Sequence, residues 1–208
     1  MLTFLVRRRG IAGGANELDA ALTRLRDFED ARRDPSLRWL HSYALREADG
    51  RFGLACLFAA ADAPALRLHA AATRLPAEAI AEVTAADAGA ALDPAGLWWL
   101  HWRATWPTAA RRDAALQRLQ AADPAPRPAR YALREPGGRC GAACLLRAAD
   151  AAAAAWHLRR CGLPAAEATP VLGRIVFSEV PLQPVAPATG RPEPTASGPD
   201  PTHPWSTR

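Results

Sequence analysis

Apolar residues recur along the chain with two periods, and each period predicts a different kind of element. Residues 2–6 form a short apolar run that predicts a first strand. A helix is predicted from an N-cap at Asn16 to about Arg33, because apolar residues recur there every three or four positions; these residues are Leu18, Ala21, Leu22, Leu25 and Phe28. Residues 37–47 and 51–59 predict a second and a third strand, joined by an Asp-Gly turn.

A second helix and a fourth strand follow. Asp62 is the predicted N-cap of a helix over residues 63–73, and residues 80–84 predict the strand. The second half of the chain repeats this succession, as strand 97–103, helix 108–122, strands 129–135 and 139–147, helix 151–160 and strand 172–180. The order strand, helix, strand, strand, helix, strand is typical of the ferredoxin-like fold. The pattern therefore predicts an α+β protein with two such units.

An internal repeat supports the two units. Residues 43–80 align with residues 131–168 at an offset of 131 − 43 = 88, with 20 identities in 38 positions; discounting 7 alanine pairs leaves 20 − 7 = 13. The identical pairs include Tyr43/Tyr131, Gly53/Gly141, Cys56/Cys144 and His69/His157. A repeat of this length indicates two copies of one small domain.

These observations predict the domain organisation. We expect a first ferredoxin-like unit over residues 1–86 and a second, degenerate unit over residues 96–180. Packing of the two units would form an intramolecular α+β barrel, a pseudo-dimer within one monomeric chain. Residues 181–208 contain eight prolines and almost no apolar run, and they predict a disordered tail.

Composition narrows the class of protein. The net charge is +5, and all 26 basic residues are arginines, which is more typical of a GC-rich genome than of a nucleic-acid-binding surface. No stretch approaches the ~20 apolar residues that span a bilayer, and the N-terminal charges follow the apolar run, the reverse of a secretory signal. We therefore expect a cytoplasmic protein without nucleic-acid or membrane partners, with its four cysteines as thiols.

A set of polar side chains in the first unit suggests a pocket. Strict alternation places His41 and Tyr43 on one face of the second strand, together with Trp39. If that face meets Cys56 of the third strand and His69 of the second helix, then His41, Tyr43, Cys56 and His69 converge. Imidazole and thiolate ligands suit zinc, nickel or copper, although no metal-binding motif spacing is present. The alternative is that the histidines are satisfied core residues and that Cys56 is a small buried hydrophobe.

The two units differ at several of these positions. His41 aligns with Ala129, so the full set of candidate ligands occurs only in the first unit. His101, on the first strand of the second unit, aligns with Val6 in this comparison. Alternation places Trp98 and Trp102 opposite Trp99 and His101, so this strand is either buried on both faces or lines a ligand cavity.

The first unit resembles a known family of small bacterial proteins. The segments that carry the resemblance are Leu37-Arg38-Trp39-Leu40-His41-Ser42-Tyr43, Leu54-Ala55-Cys56-Leu57-Phe58 and the helix end from Leu68-His69 to Leu75-Pro76-Ala77. They are similar to DUF4242, the nickel-binding ferredoxin-like proteins. The resemblance implies a dimeric α+β barrel made of two sheets that pack face to face. It also implies a nickel site at His41, Tyr43, Cys56 and His69, with the second unit eroded by Ala129.

These patterns leave three classes of function open. The first is a small binding protein that holds a transition metal or a small ligand in the first unit, without catalysis. The second is a cofactor-free enzyme, an oxygenase or isomerase, which rests on fold analogy alone. The third is a regulatory module without a ligand. The sequence favours the binding protein, because no carboxylate pair is predicted beside His41 or His69.

Overall fold

The computed structural model describes residues 1–32, 36–87, 93–122 and 128–176, which contain eight strands and four helices. The elements are β1 (Leu2–Ala12), α1 (Ala15–Arg32), β2 (Leu37–Arg46), β3 (Phe52–Ala60), α2 (Ala63–Thr73), β4 (Ala79–Asp87), β5 (Leu97–Trp106), α3 (Ala109–Ala122), β6 (Arg130–Arg134), β7 (Cys140–Arg147), α4 (Ala151–Arg160) and β8 (Glu167–Val176). The predicted α+β class is confirmed. The predicted tail over residues 181–208 lies outside the described residues.

The strands form a closed antiparallel barrel in the order β1-β3-β2-β8-β5-β7-β6-β4. The first half of the chain supplies β4-β1-β3-β2 and the second half supplies β8-β5-β7-β6 in the same internal order. Two seams join the halves, with Ser42 opposite Ile175 between β2 and β8, and Ala86 opposite Tyr131 between β4 and β6. The halves therefore share backbone hydrogen bonds along their edge strands. The resemblance implied two sheets that pack face to face.

The hydrophobic core has three layers. The interior layer draws side chains from all eight strands and from no helix, including Leu5, Leu45, Ala55, Trp99, Leu133, Ala143 and Val171. A second layer lies between the first half of the sheet and helices α1 and α2, and a third lies between the second half and helices α3 and α4. Each strand thus has an interior face and a helix-covered face, and both are apolar because both are removed from water.

The direction of the strands defines two ends of the barrel. Since all neighbours are antiparallel, β1, β2, β5 and β6 run one way and the other four strands run the opposite way. The last residues of β1 and β5 therefore share one end with the first residues of β8. We call this the Arg7 end. The start of β2 and the last residues of β8 lie at the opposite end, which we call the His41 end.

β1 and β8 differ from their predicted extents, and β2 departs from its predicted alternation, each for an identifiable reason. β1 continues from residue 6 to Ala12, because the side chains of Arg7 and Arg8 find buried partners inside the protein. β8 begins at Glu167 and is described to Val176, whereas the sequence predicted a strand over residues 172–180. The earlier start was not predicted because Pro170 lacks an N–H and is unfavourable within a strand. In β2 the register shifts between Trp39 and His41, and this bulge breaks the predicted alternation.

Both α2 and α4 begin at an aspartate, as repeat-related positions should. The side chain of Asp62 accepts from the backbone N–H of Ala65, and that of Asp150 accepts from the N–H of Ala153. None of the helices in the described ranges combines the length and the apolar character that a membrane-spanning helix needs.

Candidate functional site in the barrel

Two tyrosines related by the repeat meet inside the barrel near the His41 end. The hydroxyl oxygens of Tyr43 and Tyr131 lie 3.1 Å apart, and Nε2 of His41 lies 3.1 Å from the Tyr131 oxygen. All three side chains are buried, and the Trp99 ring packs against both tyrosine rings. Burial, aided by the charge of Arg174, lowers the pKa of His41 to about 4, so its imidazole is neutral near pH 7.

The phenols of this group stay protonated. Burial raises the pKa of Tyr43 and raises that of Tyr131 well above its usual range. The chain from Tyr43 through Tyr131 to His41 is therefore a set of neutral groups that satisfy each other's hydrogen-bonding capacity. We interpret it as a buried polar network that ties the two halves together.

Removing the central hydroxyl should weaken this network most. Tyr131→Phe leaves both Tyr43 and His41 without their partner, and we expect it to lower the free energy of unfolding by about 2 kcal/mol. Tyr43→Phe, the matched control, breaks a single hydroxyl contact and should cost about 1 kcal/mol. Urea unfolding of the two variants and the wild type measures both values. Equal losses in the two variants would contradict the central position of Tyr131.

The structure separates the four residues that the sequence predicted to converge. His41 and Tyr43 lie in the barrel interior, whereas Cys56 and His69 lie between the sheet and helices α1 and α2. The reason is the strand register, in which Cys56 is opposite Ser42 and Tyr43 is opposite Ala55. Residues directly opposite each other share a face of a sheet. The prediction of a single pocket holding all four was therefore wrong.

The helix-covered pair has its own surroundings. The His69 ring packs edge-on against Phe58 and Phe28, and its Nε2 lies 3.0 Å from Oε1 of Glu29. Burial raises the pKa of the Cys56 thiol, against the lowering effect of Arg8. Within the described ranges, no three His, Cys, Asp or Glu side chains are grouped so that they could hold a metal ion. The nickel site implied by the resemblance finds no support in this arrangement.

A second polar cluster occupies the Arg7 end of the barrel. The Arg7 side chain is 1% exposed, and its Nη2 donates to both carboxylate oxygens of Glu47, at 2.8 and 3.0 Å. The same nitrogen donates to Glu167 of the second half at 3.2 Å, and Glu167 also pairs with Arg9. The buried positive charge of Arg7 is therefore compensated by one carboxylate from each half.

His101 lies at this same end of the barrel. It is on the interior face of β5, opposite Ala143 and Glu167, and is 3% exposed. Neither ring nitrogen has a hydrogen-bond partner among the described residues. Burial, with Arg7 and Arg103 acting in the same direction, lowers the pKa of His101 to about 4, although Glu167 opposes the shift.

The strand register also corrects the predicted counterpart of His101. Val6 is opposite Cys56, and Leu100 is opposite the equivalent Cys144, so Val6 corresponds to Leu100. His101 therefore corresponds to Arg7, one position further along, and both face the barrel interior. The predicted split of the β5 tryptophans is found, since Trp99 lies in the interior layer and Trp102 under the helices.

A cleft leads to the Arg7 end from the surface. It has a volume of about 520 Å³, and its lining includes Arg9, Glu47, Glu167 and Thr169. Glu167 and Thr169 are opposite His101 and Trp99 of β5, so the cleft borders the strand that carries these two residues. Glu47 and Glu167 contribute both to the cleft and to the ion pairs of Arg7, and they lie between solvent and the buried guanidinium.

Sequence analysis did not identify the Arg7 end. The repeat is strongest in residues 43–47 and 131–135, and these segments do not contain Arg7 or Glu167. Glu47 lies within them, but the pattern predicts it only as the last residue of a strand. One signal was nevertheless present. The segment Tyr-Ala-Leu-Arg-Glu ends at Glu47 in one copy and at Glu135 in the other, and each is followed by a retained glycine, Gly53 or Gly141.

Comparisons with known proteins give similarity at the level of the fold. No protein-family model matches the chain, and no curated protein matches it either. A putative monooxygenase from Fusobacterium nucleatum has a TM-score of 0.49 at 10% identity, with 84% of this chain and 94% of that chain covered. A putative monooxygenase from Lactobacillus acidophilus gives 0.49 at 10% identity, covering 86% and 100%. An anthrone oxidase-like protein gives 0.39 at 11% identity, covering 89% and 94%. At these levels of similarity, the function must be argued from the residues of this chain.

Proposed function

We propose that this protein is a small enzyme that moves a proton on an organic molecule bound at the Arg7 end of the barrel, without a cofactor. The observation that carries the proposal is His101, a buried imidazole with two unpartnered ring nitrogens beside a surface cleft. A structural histidine in a core normally has its ring nitrogens satisfied, as the Nε2 of His41 is by Tyr131.

The charge state of His101 suits a general base. Its pKa of about 4 keeps the imidazole neutral at pH 7, so one ring nitrogen carries a lone pair that can accept a proton. Burial removes competing water from that lone pair, and electrostatic interactions within the barrel are stronger than they are in water. A buried neutral base with a perturbed pKa, whose strand neighbour Glu167 lines a cleft, is typical of a catalytic site.

The neighbours of His101 suit a substrate that gains negative charge. Arg7 is held in place by Glu47 and Glu167, and its charge and that of Arg103 act on His101. Groups fixed in this way need no reorganisation when negative charge develops. The indole of Trp99 lies two positions before His101 on β5, and its Nε1 has no partner among the described residues. The ring offers an apolar surface and one donor, as ligand pockets commonly do.

The simplest reaction of this class is enolisation. The imidazole of His101 takes the proton from a carbon next to a carbonyl group, and the C–H electron pair forms the enolate. If the proton on His101 exchanges with water before reprotonation of the same carbon, solvent hydrogen is incorporated there. Protonation of a different carbon gives an isomer. No electrons are gained or lost, so the reaction consumes no oxidant.

Hydrogen exchange tests the proposed function directly. We expect the protein to accelerate the incorporation of deuterium from D2O at the α-carbon of phenylpyruvate or cyclohexanone, measured by proton NMR. His101→Gln should reduce this rate about 100-fold, the usual contribution of a general base. His157→Gln, a substitution in α4 far along the chain from the site, is the matched control and should leave the rate unchanged. No acceleration by the wild type with either probe, or equal rates in the two variants, would contradict the proposal.

We further propose that the two halves are ferredoxin-like units fused into an internal pseudo-dimer, in keeping with the DUF4242 resemblance. The equal strand order of the halves and the two seams between them support this interpretation. Because the barrel closes within one chain, its sheet has no free edge for a second copy to extend. Light scattering should therefore give the mass of a single chain.

A further inference from the structure

Arg51 lies on the wall of the cleft at the Arg7 end and takes no part in the ion pairs described above. It directly precedes β3, and both Arg51 and Gly10 line the cleft. The backbone N–H of Arg51 donates to Oδ1 of Asp49, which fixes the backbone in the turn that leads into β3. Within the described ranges, the exposed guanidinium of Arg51 makes no ion pair and no hydrogen bond. Its donors are therefore free to bind a ligand in the cleft.

The guanidinium of Arg51 packs on the backbone of Gly10, and this contact holds it at the cleft wall. A Cβ at Gly10 would lie 3.2 Å from Cζ and 3.3 Å from Nη1 of Arg51. Gly10 belongs to the bulge of β1, where the register shifts between Arg8 and Ala12. Its φ of 55° lies in the left-handed region that favours glycine. The missing side chain thus leaves the space beside which the guanidinium lies.

The second half keeps the arginine but not the space. Arg139 is the counterpart of Arg51 in the repeat, and it also directly precedes a strand. The register shift in β5 makes Ala104 the counterpart of Gly10, and Ala104 has the same left-handed backbone, with a φ of 45°. A Cβ therefore occupies the corresponding place, and Arg139 does not line the cleft. The repeat thus supplies a matched arginine outside the cleft.

The other two arginines at this end already have carboxylate partners. Arg7 and Arg9 each pair with two carboxylates, and they share Glu167. Asp49 also lines the cleft, but it is exposed in the turn, where water and salt screen its charge. Among the described residues, Arg51 is therefore the arginine of the cleft whose guanidinium has no carboxylate partner. A carboxylate is the group that best matches the planar fork of guanidinium donors.

We propose that Arg51 binds a carboxylate group of the substrate and that the substrate is a 2-oxo acid, in which the carbonyl group is next to a carboxylate. This inference rests on the proposed function. The cleft that Arg51 lines also borders β5, since Glu167 and Thr169 of the lining are opposite His101 and Trp99. Its volume of about 520 Å³ is in the range of small-molecule sites. Arg51 determines which carbonyl compounds bind and takes no part in the proton transfer.

A matched pair of ligands tests this role. Phenylpyruvate and phenylacetone share a benzyl ketone skeleton, and a methyl group in phenylacetone replaces the carboxylate. NMR titration of each ligand should show that the wild type binds phenylpyruvate about tenfold more tightly, and that Arg51→Met abolishes this preference. Arg51→Lys keeps the charge without the planar fork and should retain about a threefold preference. Arg139→Met, the same change at the exposed counterpart, is the control and should match the wild type.

Binding and exchange are measured separately, so the two claims can fail separately. Binding of phenylpyruvate that depends on Arg51, without exchange of its α-hydrogens, would remove the proposed function and keep the carboxylate site. Equal binding of the two ligands by the wild type, or a preference that survives in Arg51→Met, would overturn the inference even if exchange depends on His101. An equal loss of preference in Arg139→Met would overturn it as well. Loss of the preference in Arg51→Met alone supports the inference.

Discussion

Acidification from pH 6.5 to pH 4 should destabilise the folded protein by several kcal/mol. His41 and His101 are buried, and burial lowers the pKa of each from 6.5 to about 4. The unfolded chain binds these protons below pH 6.5, while the folded protein resists them until the lower pKa is reached. The stability that the neutral forms contribute is therefore complete above pH 6.5 and is lost as the pH falls. A shift of this size corresponds to roughly 3 kcal/mol for each histidine.

Urea unfolding between pH 7 and pH 4 measures this loss. Carboxylates also titrate over the range, so the comparison must be made with matched variants. His41→Gln and His101→Gln should each remove about half of the histidine-linked pH dependence, and the double variant should remove nearly all of it. If the wild type and the double variant lose stability in parallel, the two imidazoles are not buried in neutral form.

Gly53→Ala, which adds one methyl group to the barrel wall, should strongly lower the stability of the folded protein. The new Cβ would lie 2.0 Å from Oε1 of Glu47, 2.8 Å from Nη1 of Arg7 and 2.7 Å from the carbonyl oxygen of Arg8. The carboxylate must move away from Arg7, which leaves a guanidinium buried with half of its compensation. We expect a loss of about 3 kcal/mol or more in the free energy of unfolding.

Gly173→Ala is the matched control for this substitution. Gly173 is also in a strand, β8, but a Cβ there would meet no atom within 4 Å. Its replacement should change the free energy of unfolding by no more than about 1 kcal/mol. Denaturant unfolding of both variants checks the difference. Similar stabilities would mean that Glu47 does not fold back over Gly53 to reach Arg7.

The sequence predicted the elements well because each depends on local pattern. Along β3, for example, alternation places Leu54, Cys56 and Phe58 together on the helix-covered face. The repeat correctly indicated that both halves have the same succession of strands and helices. Closure of the barrel depends on pairing between residues from different halves, such as Ser42 and Ile175, and no local pattern encodes that pairing.

The candidate site was predicted less well, for a related reason. The sequence predicted His41 and Tyr43 as members of one pocket with Cys56 and His69, whereas their hydrogen-bond partner Tyr131 comes from the other half of the chain. The β2 bulge at residues 39–41 and the pairing of Tyr43 with Ala55 place Cys56 on the opposite face. Arg7 is followed in the sequence by two more arginines, and no local pattern indicates that carboxylates from two remote strands pair with it.

The central claim is that His101 is a neutral base that a ligand can reach from the cleft. Nitrogen-15 NMR of the histidine side chains tests it in one titration, with and without phenylpyruvate. The account predicts that the His101 ring stays neutral until the pH falls to about 4 and that the probe shifts its signals but not those of His157. A His101 ring that titrates near 6.5, or whose signals do not respond to phenylpyruvate, would contradict the account.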